Sequence, residues 1–149
     1  MRYLQHNLSK MENTFTPANE KEAWIGILFA CISSDKRLPE QETETLAHLL
    51  LIKEMFKSSE VLTIYRDCML AHSKLGSKGL IDICISKVED QNKPTLFAMA
   101  ADLMLSDGNI QPEEKEILDY LSFGFSINFD LKQKIIDVIL IKNKGNKVI

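Results

Sequence analysis

The sequence is poor in several residue types, and each shortage excludes a class of protein. Its three cysteines are an odd number without close spacing, which does not make a disulfide framework and suits buried thiols in a reducing compartment. Neither half is basic: nine basic and ten acidic residues precede residue 76, and nine and eleven follow, which argues against nucleic-acid binding. The longest apolar run, residues 23–32, is about half of the ~20 residues that span a bilayer. We therefore expect a cytoplasmic protein with no membrane span.

What the chain does contain is typical of one globular domain. It has 149 residues, of which 45% are hydrophobic and 26% charged, with a formal net charge of −3. That length can bury a core without disulfides or metal. We divide the chain into a polar, loosely ordered N-terminal segment (1–19), an all-helical domain (20–141), and a basic, glycine-containing tail expected to fray (142–149).

Apolar periodicity predicts about seven helices, and no stretch requires a strand. The first helix, about 20–33, carries apolar residues on nearly all sides and should be mostly surrounded by protein. The seventh should turn Leu131, Ile135, Val138 and Ile139 inward. The predicted start signals are, in chain order, Glu20, Pro39, Ser58 or Ser59, the turn between Gly76 and Gly79, Pro94, Pro112, and Asp130 with Gln133 as its capping-box partner.

Two of these helix pairs read as copies of one unit, offset by 72 residues. Their turns are Ser34-Asp35 and Ser106-Asp107-Gly108, and each turn is followed by a branched apolar residue, a proline and an acidic helix start. An aspartate at such a turn can accept backbone N–H bonds, and Gly108 permits a positive φ. The sequence therefore predicts an all-α bundle with an internal pseudo-two-fold repeat of helix–turn–helix units.

The second copy also resembles a known family. The stretch AADLMLSDGNIQPEE, residues 100–114, followed by Ile117-Leu118, resembles the TerB-like tellurite-resistance family, whose motif reads roughly A-D-G-x-I-x-x-x-E before an apolar helix. The resemblance implies an all-α fold with a helical repeat, a role in tellurite resistance and stress response, no enzymatic activity, and a cation-binding acidic surface. The first copy departs from the motif, because Lys36 replaces the glycine and Arg37 follows it.

The acidic residues around the second turn are the candidate metal ligands. They are Asp102, Asp107 and Glu114, with a weaker set at Asp35 and Glu42, and the cation would be calcium or magnesium. The sequence argues against an EF-hand loop there, because Leu103 and Leu105 occupy its first and third ligand positions. The alternative is that these carboxylates cap the next helix and complement its dipole. Asp102 likewise either faces water or leans toward the turn and shares a cation.

Other chemistry-bearing residues favour packing roles. Cys68 and His72 lie four apart on the apolar stripe of the third predicted helix, so we interpret them as core residues. Residues 76–79 lack the spacing of a phosphate-binding loop. Phe123, Phe125 and Phe129 crowd around one loop, where an exposed patch could bind a partner.

These patterns favour a non-catalytic, TerB-like domain that acts through contacts with an unknown protein partner. Two alternatives stay open at this point: a metal-dependent hydrolase that uses the same carboxylates, and a purely structural domain. Neither the partner nor the oligomeric state follows from the residues.

Overall fold

The computed structural model describes residues 15–33 and 61–146, and these residues are helical without any strand. Five α-helices follow one another: α1 (Glu20–Ile32), α2 (Val61–Cys84), α3 (Lys93–Met104), α4 (Pro112–Gly124) and α5 (Phe129–Asn143). Two short 3-10 turns, Ile85–Lys87 and Asp90–Asn92, connect α2 to α3. The all-α prediction is confirmed for this part of the chain.

The described residues form five helices and not the predicted number, because the third and fourth predicted helices follow one another in α2 without a loop. The two helical segments of α2 meet at Gly76, whose φ of 72° and ψ of 178° are not helical and interrupt the helix there. A glycine adopts such a positive φ readily, so the chain turns within one residue. The second predicted helix, 39–56, and the first turn of the repeat lie outside the described residues, so the repeat stays a prediction.

α1 forms the centre of the fold. Every side chain from Ala23 to Ile32 is buried, as the unbroken apolar run predicted. Asn19 caps its start by accepting a hydrogen bond from the backbone N–H of Glu22 at 3.0 Å. The helix packs mainly against α2 and next against α3. Gly26 allows the close approach, since a Cβ there would lie 2.5 Å from the Cys84 sulfur.

The expected N-terminal segment is partly packed. Phe15 is 8% exposed, and one of its ring carbons lies 3.2 Å from where a Cβ on Gly26 would stand. Phe15 and Pro17 are buried, so this part of the segment expected to be loosely ordered packs against the helices.

The remaining helices pack around this centre. α3 contacts α1, α4 and α5. The largest fully buried side chains, contributed by four helices, define the core: Phe97, Ile25, Ile27, Leu28, Leu80, Ile81, Leu96 and Leu118, together with Leu105 just after α3.

The start of α5 differs from the prediction. Asn128, not Asp130, is the cap: its side-chain oxygen accepts from the backbone N–H of Leu131 at 2.8 Å. Gln133 donates to Asp137 at 2.9 Å instead of closing a capping box. Asn128 wins because its backbone is extended (φ −69°, ψ 157°), which aims its side chain at the first helical turn.

Candidate functional site

The turn between α3 and α4 has the local geometry that its sequence predicts. The Asp107 carboxylate accepts from the backbone N–H of Asn109 at 2.9 Å, and Gly108 has φ +82°. The N–H of Gly108 donates to the carbonyl of Leu105 at 3.0 Å, which closes the chain reversal. Local backbone chemistry therefore accounts for both residue types.

Gly108 has a second reason to be glycine, which the sequence did not reveal. A Cβ at this position would lie 2.7 Å from the carbonyl oxygen of Asn143 and 2.9 Å from the Cα of Lys144. The end of α5 thus rests directly on the turn, backbone against backbone. Any side chain at residue 108 would push the two apart.

Asn143 joins α5 to this turn. Its side chain is buried, with 3% of the residue exposed. The amide nitrogen donates to the Asp102 carboxylate at 2.9 Å and to the carbonyl oxygen of Leu105 at 3.1 Å. The amide oxygen accepts from Lys142 at 3.0 Å and from Asn146 at 3.2 Å. A buried amide with this many partners fixes the position of the helix end.

Part of the segment predicted as a frayed basic tail belongs to this contact. Of residues 142–146, the first two are the last residues of α5. Asn146 also donates to the carbonyl oxygen of Ser106 at 3.1 Å. A signal was present in the sequence: Asn143 continues the buried stripe of Ile136 and Ile139 at i+4. The buried position of Asn143 was not recognised, because a polar residue near a basic terminus is normally predicted to be exposed to solvent.

Asp102 combines parts of its two predicted roles, which were exposure to water and sharing a cation near the turn. Its side chain is 46% exposed, and the ammonium of Lys142 lies 3.2 Å from it. The carboxylate does share a cation, but that cation is a lysine of the same chain. Since exposed ion pairs contribute about 0–1 kcal/mol, the buried amide of Asn143 is the stronger of the two partners.

Glu114 serves as a helix cap. Its carboxylate accepts from the backbone N–H of Gln111 at 2.9 Å, forming the capping box at the start of α4, and the residue is 6% exposed. Asp102, Asp107 and Glu114 therefore have separate structural partners. Within the described ranges, no group of three or more His, Cys, Asp or Glu side chains could hold a metal ion. Asp35 and Glu42, the weaker predicted set, lie outside the described residues.

The cysteines are buried and free, as predicted. Burial raises the pKa of Cys31 and of Cys84 to about 12, and it raises the pKa of Cys68 as well. Thiols of this kind are poor nucleophiles and poor metal ligands at neutral pH. His72 is only partly buried: its ring contacts Phe29 edge-on, its Nε2 lies 3.0 Å from the Ser77 hydroxyl, and burial lowers its pKa.

Two of the three residues of the predicted aromatic patch are exposed. Phe123 is 87% exposed and Phe129 is 69% exposed, whereas Phe125 is 4% exposed and belongs to the core. Phe123 lies on the last turn of α4, beyond the face that Leu118 and Leu121 bury.

The apolar exposure continues along α5. Leu131, Val138 and Ile141 are 37%, 62% and 75% exposed, although two of them were predicted to face inward. The reason is that the run from Ile135 to Ile141 is apolar on both sides of the helix, so its period does not identify the buried face. An open groove at the first turn of α5 is lined by Asn128, Phe129, Asp130, Leu131 and Lys134.

None of the described helices is long and apolar enough to cross a membrane.

Comparison with other proteins identifies no relative. The chain matches no protein-family model, no curated protein and no solved structure. The family resemblance therefore stays a prediction based on the motif around Asp107.

Proposed function

We propose that this protein is a non-catalytic, TerB-like helical domain that acts in bacterial tellurite and stress response through contacts with other proteins. The observation that carries the proposal is the concentration of exposed apolar side chains on the end of α4 and along α5. Phe123, Phe129, Val138 and Ile141 are each more than half exposed. Exposed apolar side chains gathered on neighbouring elements are typical of protein-binding surfaces.

The polar residues near the turn support the same proposal. Asp102, Asp107 and Glu114 each hold a backbone or side-chain group of this chain in place. Asp102 holds the end of α5, whereas Asp107 holds the turn and Glu114 holds the start of α4. A protein-binding role needs a fixed α5, and the contact of Asn143 with Asp102 supplies it.

Crosslinking and capture from the native host test the proposal. Phe123→Ser and Val138→Ser should each lose proteins that the wild-type chain captures, because both remove exposed apolar contact area. Leu75→Ser on α2 is the matched control, since Leu75 is 47% exposed on another helix. If all four proteins capture the same partners to the same extent, the proposed surface is wrong.

Binding of calcium or magnesium at the Asp107 turn stays a prediction. A cation that used Asp102 would have to compete with Lys142 and Asn143, which already contact that carboxylate. Titration calorimetry of the full chain with each metal tests the idea. An absence of heat up to millimolar metal would end it, and binding lost in Asp107→Asn would support it.

A further inference from the structure

The turn between α3 and α4 contains a chemically reactive step of the chain. Asp107–Gly108 is the single aspartate–glycine pair in the sequence, and no asparagine–glycine pair occurs. Such a pair isomerises spontaneously, because glycine has no side chain to shield its backbone nitrogen. The nitrogen of Gly108 bonds to the side-chain carboxyl carbon of Asp107, and the amide proton and the carboxyl hydroxyl leave as water. This step closes a succinimide ring.

Hydrolysis of that ring decides the product. One water adds across either of the two C–N bonds that join the ring nitrogen to its carbonyl carbons. Breaking the newer bond restores aspartate, whereas breaking the original peptide bond leaves isoaspartate, whose main chain runs through the side-chain carbons. Water is the only reactant, so the reaction needs no cofactor, oxidant or second protein.

In the folded turn both reacting groups are held in hydrogen bonds. The N–H of Gly108 donates to the carbonyl oxygen of Leu105 at 3.0 Å. The carboxylate of Asp107 accepts from the backbone N–H of Asn109 at 2.9 Å. Ring closure requires the nitrogen to lose its proton and to turn toward the carboxyl carbon. Both bonds must therefore break first, so the closed turn is protected.

The end of α5 prevents the turn from rearranging. The side-chain amide of Asn143 donates to the Leu105 carbonyl oxygen at 3.1 Å, the same oxygen that accepts from Gly108. Asn146 donates to the carbonyl oxygen of Ser106 at 3.1 Å. Gly108 also lies directly against the backbone of Asn143, where an added Cβ would stand 2.7 Å from its carbonyl oxygen. Contacts on both sides of the reactive pair thus depend on a docked α5.

We propose that Asp107 is a site of spontaneous isomerisation to isoaspartate and that the end of α5 gates the reaction. The step occurs only while the end of α5 is detached from the turn. Isoaspartate lengthens the main chain by one carbon atom at residue 107, so Gly108 no longer fits against Asn143. A reversible opening of α5 thereby becomes permanent. The modification acts on the anchoring of α5 and is independent of the protein-binding role.

Incorporation of heavy oxygen from labelled water measures the reaction in the full chain. Each hydrolysis of the ring inserts one labelled oxygen at residue 107, which mass spectrometry locates after digestion in ordinary water. The folded wild type should take up label more than about 10-fold more slowly than the same chain unfolded in urea, because the closed turn is unreactive. Equal rates in the folded and the unfolded chain overturn the gating. An unfolded chain that gains no label at residue 107 overturns the site itself.

Asn143→Ala tests whether α5 is the gate. It should speed labelling in the folded chain by about 5- to 150-fold, because the reaction follows the population of the open turn. Ile27→Val is the control: it weakens the buried core of α1 without touching the turn, and it should keep the wild-type rate. Reaction through global unfolding would instead speed the control by about 2- to 10-fold. An unchanged rate in Asn143→Ala, or a control whose rate rises with its loss of stability, overturns the proposal.

Asn146→Ala gives a second test that does not depend on a buried residue. It removes the exposed contact with Ser106, and labelling should speed by about 2- to 5-fold. This variant decides the question if Asn143→Ala does not fold, and an unchanged rate then overturns the gating.

The isomerised chain itself tests the permanent release of α5. Chromatography separates it from the unmodified chain. Amide hydrogens in the last turn of α5 should exchange faster in the isomerised chain, whereas those of α1 should exchange equally in both. Identical exchange in α5 would show that the helix end still docks, which contradicts the permanent release.

Discussion

α1 and α5 are both rich in aliphatic residues, yet the fold treats them in opposite ways. α1 has all of residues 23–32 buried, whereas α5 buries Ile136, Ile139 and Asn143 and leaves Val138 and Ile141 largely exposed. α1 is held by apolar contact on all sides. α5 is held along one stripe and fixed at its end by a buried amide. An apolar run therefore does not by itself determine which side chains are buried. Burial depends on the elements that pack against each side of the helix.

The largest effect that tests this comparison is the loss of core packing in α1. Leu28→Ala should lower the free energy of unfolding by about 2–5 kcal/mol, because Leu28 is fully buried and its removal leaves a cavity. Ile141→Ala on α5 removes an aliphatic side chain that is 75% exposed. It should change the free energy of unfolding by less than about 0.5 kcal/mol. Urea unfolding measures both. Equal losses would erase the distinction between the two helices.

The next effect concerns the turn on which α5 rests. Gly108→Ala should cost about 3 kcal/mol, since it adds a left-handed alanine and a clash with the backbone of Asn143 and Lys144. Gly145→Ala is the matched control: its φ is +81°, and no atom lies within 4 Å of the added Cβ. This variant should lower the free energy of unfolding only by the cost of placing alanine at a left-handed φ, about 1 kcal/mol. If the two variants lose the same stability, the close approach does not exist.

A smaller loss is expected when the buried amide is removed. Asn143→Ala should cost about 1–3 kcal/mol, because the carbonyl of Leu105 loses a donor in a buried place and the half-exposed Asp102 loses one as well. Asn146→Ala, whose residue is exposed, should cost less. Thermal unfolding by circular dichroism compares them, and amide exchange should rise in α5 for Asn143→Ala but stay unchanged in α1. An equal rise in both helices would argue against local anchoring.

The smallest expected effect is the pH dependence of the α1 start. Burial alone raises the pKa of Glu20, but three hydrogen bonds outweigh it, from the Asn92 amide, the Trp24 indole and the backbone N–H of Glu89, and the net pKa lies below its ordinary 4.5. A carboxyl whose pKa is lowered by folding stabilises the fold above pH 4.5, and this contribution disappears as the pH falls through the folded pKa.

Glu20→Gln removes that titration. It should lose stability at pH 7 and lose little at pH 3.5, which flattens the acid side of the stability profile. Urea midpoints at the two pH values measure this difference. A midpoint difference between wild type and variant that is the same at both pH values would contradict the assignment to Glu20.

How far the sequence predicts this fold depends on whether the signal is local. The burial of α1 follows from a run without polar residues, and the Asp107-Gly108 turn follows from the chemistry of its own backbone. The cap of α5 did not follow, because Asn128 and Asp130 are both good caps and the path of the chain after α4 selects between them. The metal prediction looked at carboxylates that are near in sequence. The partners of Asp102, which are Lys142 and Asn143, lie about 40 residues away, whereas Asp107 and Glu114 bond to backbone within three residues.

The exposed face of α5 was missed for a related reason. The segment Ile135–Ile141 is apolar on two sides, so a helical period fits either side equally well. The buried stripe is identified only once Asn143 is included as its last member. That assignment requires knowing that the turn between α3 and α4 packs against the end of α5. Tertiary contact therefore determines which apolar residues are free to bind.

The most direct test of the account is a double-mutant cycle between Asp102 and Asn143. If the end of α5 is fixed by their hydrogen bond, Asp102→Ala and Asn143→Ala together should cost less than the sum of the two single variants, with a coupling of about 1 kcal/mol. Free energies of unfolding that add to within about 0.3 kcal/mol would contradict it, because the turn and the last helix would then be independent.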